Sequence, residues 1–313
     1  MSEIEKTLKE SWNNIDYYQG GSLQLNVYHP LEWHVAYETE SNKAIVIVSR
    51  YPIENIESSK SISAVCNRRK DKKYYISFQL LESNQEEVFI SMCCNMFEYS
   101  ENAPSEAAAI KMVAKRYNQW KRLMEKGNSG LLSDEKRKGL IGELLYLKEI
   151  INFGKSPKEA VDGWVGPDGA DQDFVYDGIW REIKTTTLSS ETVTIHSVEQ
   201  LGKSADVGTL VIYRVDECAP ETEEAFTLRG LIKGIVKITG FDGEFTDCLT
   251  SKLSEVGYID MDAYDNYHYK YFEKCEYYVN ADFPRITREE LRSEITKCEY
   301  TIDIPSIGNW QKG

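Results

Sequence analysis

The chain has 313 residues, a formal net charge of -14 and 28% charged residues, so a large buried core and two domains are both within reach. It contains no run of about eighteen apolar residues, which argues against a membrane-spanning helix, and its opening Met1-Ser-Glu-Ile-Glu-Lys6 lacks the apolar centre of a signal peptide. Seven cysteines with no Cys-x-x-Cys pair, and Cys93 beside Cys94, point to free thiols in a reducing cytoplasm; neither they nor the four histidines show zinc-ligand spacing.

In chain order, a helix is expected near Glu3 to Trp12. Strands follow over Leu23 to Tyr28, Glu32 to Tyr37, Ala44 to Val48, Tyr75 to Leu80 and Val88 to Met92, all rich in β-branched and aromatic residues. Together they predict an antiparallel β-rich domain over residues 1–103, a binding or docking module. Arg68-Arg-Lys-Asp-Lys-Lys73 inside it reads as a solvated basic turn. A helix from Ser105 to Lys126, with Ile110, Val113, Tyr117, Trp120 and Met124 at core spacing, bridges to a second domain over residues 104–313. The next helix opens on Ser133, an N-cap residue, with Asp134 and Glu135 in its first turn. Leu140, Leu144, Leu147 and Ile151 form its apolar stripe. Glu143 falls at the stripe's edge near Gly139 and Gly142, where backbones can approach closely. A carboxylate there is either a surface partner of Lys136 or Lys148, or a functional group.

The most informative segment is Gly169-Ala-Asp-Gln-Asp-Phe-Val-Tyr-Asp-Gly-Ile-Trp-Arg-Glu-Ile-Lys-Thr185. Asp177-Gly178 signals a two-residue type I′ turn between strands. That turn pairs Tyr176 with Ile179, Val175 with Trp180, Phe174 with Arg181 and Asp173 with Glu182. Opposed residues share a face with Cβ atoms roughly 5 Å apart, and like charges there are unfavourable unless something sits between them. Lys184, two residues beyond Glu182, projects from the same face.

Further on, Thr192 to His196 reads as a strand. Ser197-Val-Glu-Gln200 reads as a capping box opening a short helix through Leu201, with Gln200 as a capping residue. His196 reads as structural. Gly208 to Arg214 is a strand, Leu228 to Ile238 and Glu244 to Val256 are helices, and Tyr267 to Val279 and Ile295 to Ile304 are strands. The aromatics of Tyr264 to Phe272 read as core or cross-strand pairs rather than a base-stacking surface.

With Glu143 on a helix, Asp173 on the first arm of a hairpin and Glu182-Ile-Lys184 on the second, residues 133 to 204 resemble the PD-(D/E)XK, or restriction-endonuclease-like, nuclease superfamily. The whole chain is similar to a bacterial family placed in that superfamily and associated with restriction and phage defence. The resemblance implies an α+β or α/β fold in which a mixed sheet flanked by helices follows the N-terminal antiparallel domain. It also implies metal-dependent phosphodiester hydrolysis of DNA. Asp173, Glu182 and the Ile183 carbonyl would hold Mg²⁺ or Mn²⁺, Lys184 would act on the phosphate or the attacking water, and Glu143 would orient a metal-bound water or help hold a second ion. A literal Pro167-Asp168 precedes the hairpin, so Asp168 and Asp171 stand as alternatives to Asp173. Asp173 is preferred because it opposes Glu182 under the assigned turn.

The acidic net charge is unusual for a nucleic-acid enzyme. Residues 104–158 offset it locally, with twelve Lys or Arg against six Asp or Glu, a candidate phosphate-facing surface around the Glu143 helix. Two other function classes stay open: a catalytically idle nuclease-like subunit that binds or assembles with protein partners of a defence complex, and a glycosidase using paired carboxylates. Lys184 beside the acids disfavours the glycosidase.

Overall fold

The computed structural model describes residues 3–15, 21–39, 42–125, 131–202 and 207–312. It forms two compact units, one of residues 1–131 with 259–261, the other of residues 132–258 with 262–313.

The first unit begins with α1 (Glu3–Asn13), whose buried Ile4, Leu8 and Trp12 recur every four residues on one face. Five antiparallel strands follow: β1 (Ser22–Gln24), β2 (Glu32–Thr39), β3 (Asn42–Ser49), β4 (Ile62–Arg68) and β5 (Tyr74–Leu80), in the order β1-β2-β3-β5-β4. The first strand stops at Gln24, short of the expected Tyr28. The edge strand β4, alternating buried Ile62 and Ala64 with more exposed residues, had no counterpart among the expected elements. Val88 to Met92, expected as a strand, lies inside α2 (Glu86–Ser100). Its apolar run continues as Phe89, Ile90, Cys93, Cys94, Met96 and Phe97, all buried, which is a helical period, and two acids in the first turn suit a helix start. Finally, α3 (Glu106–Glu125) packs Ile110, Val113, Tyr117 and Trp120 into the same core as Trp12, Trp33 and Phe78. The helix expected to open the second domain is therefore part of the first unit's core. Lys126 and the Met124 side chain lie outside the described residues.

The second unit starts with α4 (Asp134–Asn152) and α5 (Pro157–Asp162). Next come β6 (Phe174–Tyr176), β7 (Ile179–Thr186), β8 (Thr192–Ile195), β9 (Gly208–Glu217) and β10 (Phe226–Thr227). The chain then runs through α6 (Leu228–Ile238), α7 (Gly243–Glu255), β11 (His268–Val279) and β12 (Tyr300–Asp303). One mixed sheet has the order β10-β11-β9-β7-β6, with β7 and β9 parallel and the other pairs antiparallel. The architecture is α+β, as expected. Eight of the ten β9 residues are buried, the continuous pattern of a strand covered on both faces. On one face Trp180, Leu210, Ile212, Tyr277 and Val279 pack with Val193, Ile195 and Ile302 from the small β8–β12 pair. On the other lies α4, where the Tyr213 hydroxyl donates to Glu149 at 3.0 Å. The expected strand over Ile295 to Ile304 shortens to β12.

Candidate active site

Ser133 caps α4 as the sequence predicts, its side chain accepting the Lys136 N–H. The helix lies close to β7 because it presents Gly142 there: a Cβ at that position would stand 2.1 Å from Thr185 Oγ1 and 3.3 Å from Ile183 Cγ2. Gly142→Ala is accordingly expected to lower stability by about 1–3 kcal/mol through overpacking. Gly139→Ala, with open space at its Cβ, should raise it by up to about 1 kcal/mol through helix propensity. Thermal unfolding of the two variants checks the contrast.

The β6–β7 hairpin turns at Asp177 and Gly178 with φ of 53° and 75°, as a type I′ turn requires. Its ladder pairs Tyr176 with Ile179, Val175 with Trp180 and Phe174 with Arg181. There it ends. The Asp173–Glu182 pair expected next is absent from the ladder; on the side away from β7 the Asp173 carbonyl accepts the N–H groups of Val165 and Gly166 at 2.9 and 3.0 Å, and Phe174 bridges to Trp164. Asp173 reaches β7 through its side chain instead: Oδ2 accepts the Ile183 N–H at 2.7 Å. Of the other two candidate aspartates, Asp168 is ion-paired with Lys252 at 2.6 Å and Asp171 is exposed.

Period-2 alternation puts Glu182 and Lys184 on one face of β7, and their side chains meet at 2.9 Å. Glu182 is only 1% exposed, and its Oε2 has no hydrogen-bond partner. Burial, then the charge of Asp173, holds its carboxyl well above the usual carboxylate range. Asp173 is pushed up to about 6 by burial, against the opposing pull of the Ile183 N–H and Lys184. Glu143 is pushed up to about 8, first by burial and then by Asp173. Neither lysine named as its surface partner holds it. The Trp164 indole N–H donates to Glu143 Oε2 at 2.6 Å, and Trp164 itself is fully buried.

Sequence reasoning missed the role of Gln200. The Ser197 side chain makes no cap bond to the short 3₁₀ turn Val198–Leu201. Gln200 Oε1 instead accepts Lys184 Nζ at 3.0 Å and the His196 N–H at 2.9 Å. A local capping pattern cannot reveal a contact sixteen residues away. His196 itself is exposed and pairs with Glu299.

Two members of the basic run expected around α4 are already engaged. Arg137 is buried, donating to the Tyr269 hydroxyl at 2.8 Å and the Leu132 carbonyl at 2.7 Å, while Lys138 pairs with Asp134 at 2.9 Å.

A family model described as "Putative PD-(D/E)XK family member" matches residues 8–305. The chain belongs to that family. No curated protein and no solved structure matches it. Nucleases of the PD-(D/E)XK type usually use divalent metals. Among the described residues, no group of three or more His, Cys, Asp or Glu side chains stands together as a metal cage. The groups near β7 form a sparser set: the unpartnered Glu182 Oε2, the Asp173 carboxylate and the main chain at Ile183. Few protein oxygens suit Mg²⁺, which keeps several of its waters. The orphaned oxygen beside a second acid fits such an ion, since a buried carboxylate is costly without a partner. Among the described residues no helix is long and apolar enough to cross a membrane, and all seven cysteines are free.

Proposed function

We propose that the chain is a Mg²⁺- or Mn²⁺-dependent DNA endonuclease of the cytoplasm, working in bacterial restriction or phage defence. The observation that carries this reading is Glu182, a buried carboxylate with one oxygen on Lys184, the other without a partner, and Asp173 as its acidic neighbour. Asp173, Glu182 and the Ile183 carbonyl would hold the ion. When bound, the ion supplies a Lewis acid for the phosphodiester and a water of lowered pKa.

The remaining chemistry belongs to the chain. Lys184, oriented by Glu182 and Gln200, offers a fixed cation to the charge that develops on the phosphate. Its side chain needs little reorganisation, because Gln200 is tied to the His196 main chain and Glu182 is buried. Glu143, held by Trp164, orients a water or accepts its proton. Gln200 acts through Lys184 as a positioning residue. Incubation of supercoiled plasmid with the chain and Mg²⁺ or Mn²⁺ should give nicked and linear DNA, and EDTA should stop it. Intact DNA in every condition, from a chain whose unfolding temperature Mg²⁺ still raises, would make it an idle nuclease-like subunit of a defence complex.

A further inference from the structure

Within the first unit, the turn between β4 and β5 carries five basic residues among the six from Arg68 to Lys73. In a chain of net charge -14 this is the densest basic run. Its single acid is turned inward to the turn itself. Asp71 Oδ1 accepts the Lys73 N–H at 3.1 Å, and Oδ2 pairs with Arg69 at 3.2 Å. Two main-chain bonds close the turn, Arg69 N–H to the Lys73 carbonyl at 2.8 Å and Lys72 N–H to the Arg69 carbonyl at 3.1 Å. Lys72 takes a left-handed φ of 69° to complete it, a conformation that a non-glycine residue adopts only at some cost. Lys73 is occupied by Glu32 at 3.3 Å. Arg68, Lys70 and Lys72 are exposed and have no ion pair among the described residues.

Solvated surfaces usually intersperse both signs of charge, since like charges held close repel. Here the one available counter-charge is spent on shaping the turn, and three cations are left pointing outward from a closed, hydrogen-bonded loop. A preformed array loses little conformational freedom on binding. Lys and Arg on such a loop suit the phosphates of a nucleic-acid backbone.

We propose that the β4–β5 turn is a docking surface for duplex DNA, contacting its phosphate backbone through Arg68, Lys70 and Lys72. The substrate class rests on the endonuclease reading above; the place where the substrate is held is new. The acidic remainder of the chain would repel loosely placed DNA, so capture concentrates at this turn and depends steeply on salt.

The test is fluorescence anisotropy of a labelled short duplex titrated with the full chain in EDTA, between about 50 and 200 mM salt. Lys70→Glu/Lys72→Glu is expected to weaken binding about 10- to 100-fold and to lower the log–log salt slope by about 1.8, two phosphate contacts at 0.9 each. Lys70→Gln/Lys72→Gln, which introduces no acid, should lower the slope by the same amount and guards against misfolding of the reversal. Unchanged affinity and slope in both variants would overturn the proposal. So would a turn whose charge reversal abolishes only binding to phosphatidylserine vesicles, which would make the partner a membrane surface. Full-rate cleavage with unaltered binding in the variants removes the docking surface and leaves the endonuclease. Turn-dependent binding by a chain that never cleaves supports the docking surface and removes the endonuclease.

Discussion

Lys184→Ala is expected to lower metal-dependent DNA cleavage by about 10²–10³-fold, the usual cost of removing one preorganised group that stabilises transition-state charge. The side chain sits 2.9 Å from Glu182 and 3.0 Å from Gln200, so its charge is held in place before substrate arrives. Removing it does not remove a metal ligand. At saturating Mg²⁺ the ion should still raise the unfolding temperature of this variant, whereas Asp173→Ala should lose both cleavage and the metal response. Single-turnover cleavage and thermal shift, read on the same preparations, separate the two effects. Equal residual cleavage in the parent and both variants would identify a contaminating nuclease. Gln200→Ala should fall between them, with a lowered kcat and little change in KM, because it acts only through the lysine.

The second large effect is on stability without metal. Glu182, Asp173 and Glu143 are all held above their ordinary carboxylate values, Asp173 near 6 and Glu143 near 8, in each case chiefly by burial. A carboxyl whose folded pKa exceeds its unfolded value binds more protons in the folded state. Its contribution is complete below about pH 4, the unfolded carboxyl range. It is lost as pH rises through about 6 for Asp173 and about 8 for Glu143. The metal-free chain should therefore lose stability between those limits, opposite to the trend of carboxylates paired with cations. A divalent ion reverses the loss at neutral pH, adding about 2.7 kcal/mol at a hundredfold excess over its dissociation constant. Urea unfolding across that range, with EDTA and with Mg²⁺, measures both arms. In Glu182→Gln the metal arm should collapse while the metal-free chain becomes less sensitive to pH. Identical curves with and without Mg²⁺ in the parent would argue against a metal held by these acids.

Much of the site was legible because its signals are local. The Asp177-Gly178 turn dictates its own register, and alternation along β7 then places Glu182 and Lys184 together whatever surrounds them. Ser133 and the acids after it mark where α4 begins, and Gly142 signals a close approach before its neighbour can be named. What escaped depended on segments distant in sequence. The ladder ends before Asp173, whose main chain is held on its other side by Val165 and Gly166, and its approach to β7 is made by a side chain that takes the Ile183 N–H rather than by strand pairing. Gln200 has the spacing of a helix cap, but tertiary folding gives it the half-buried Lys184 instead. Arg137 sits in a basic run that reads as surface, yet the Tyr269 hydroxyl and the Leu132 carbonyl satisfy it in the interior.

The same division holds for the architecture. Hydrophobic period and turn chemistry act over a few residues, so the sequence by itself determined most helices, most strands, the hairpin and the placing of Glu182 and Lys184 on one face of β7. Val88 to Met92 could be either strand or helix by composition, and only burial of the longer run through Phe97 chose the helix. Whether α3 belongs to the first core or the second was decided by which apolar surface Ile110, Val113, Tyr117 and Trp120 could bury against. Burial is a property of the assembled chain: its free energy depends on surfaces brought together from far apart, and no local spacing encodes which surfaces those will be.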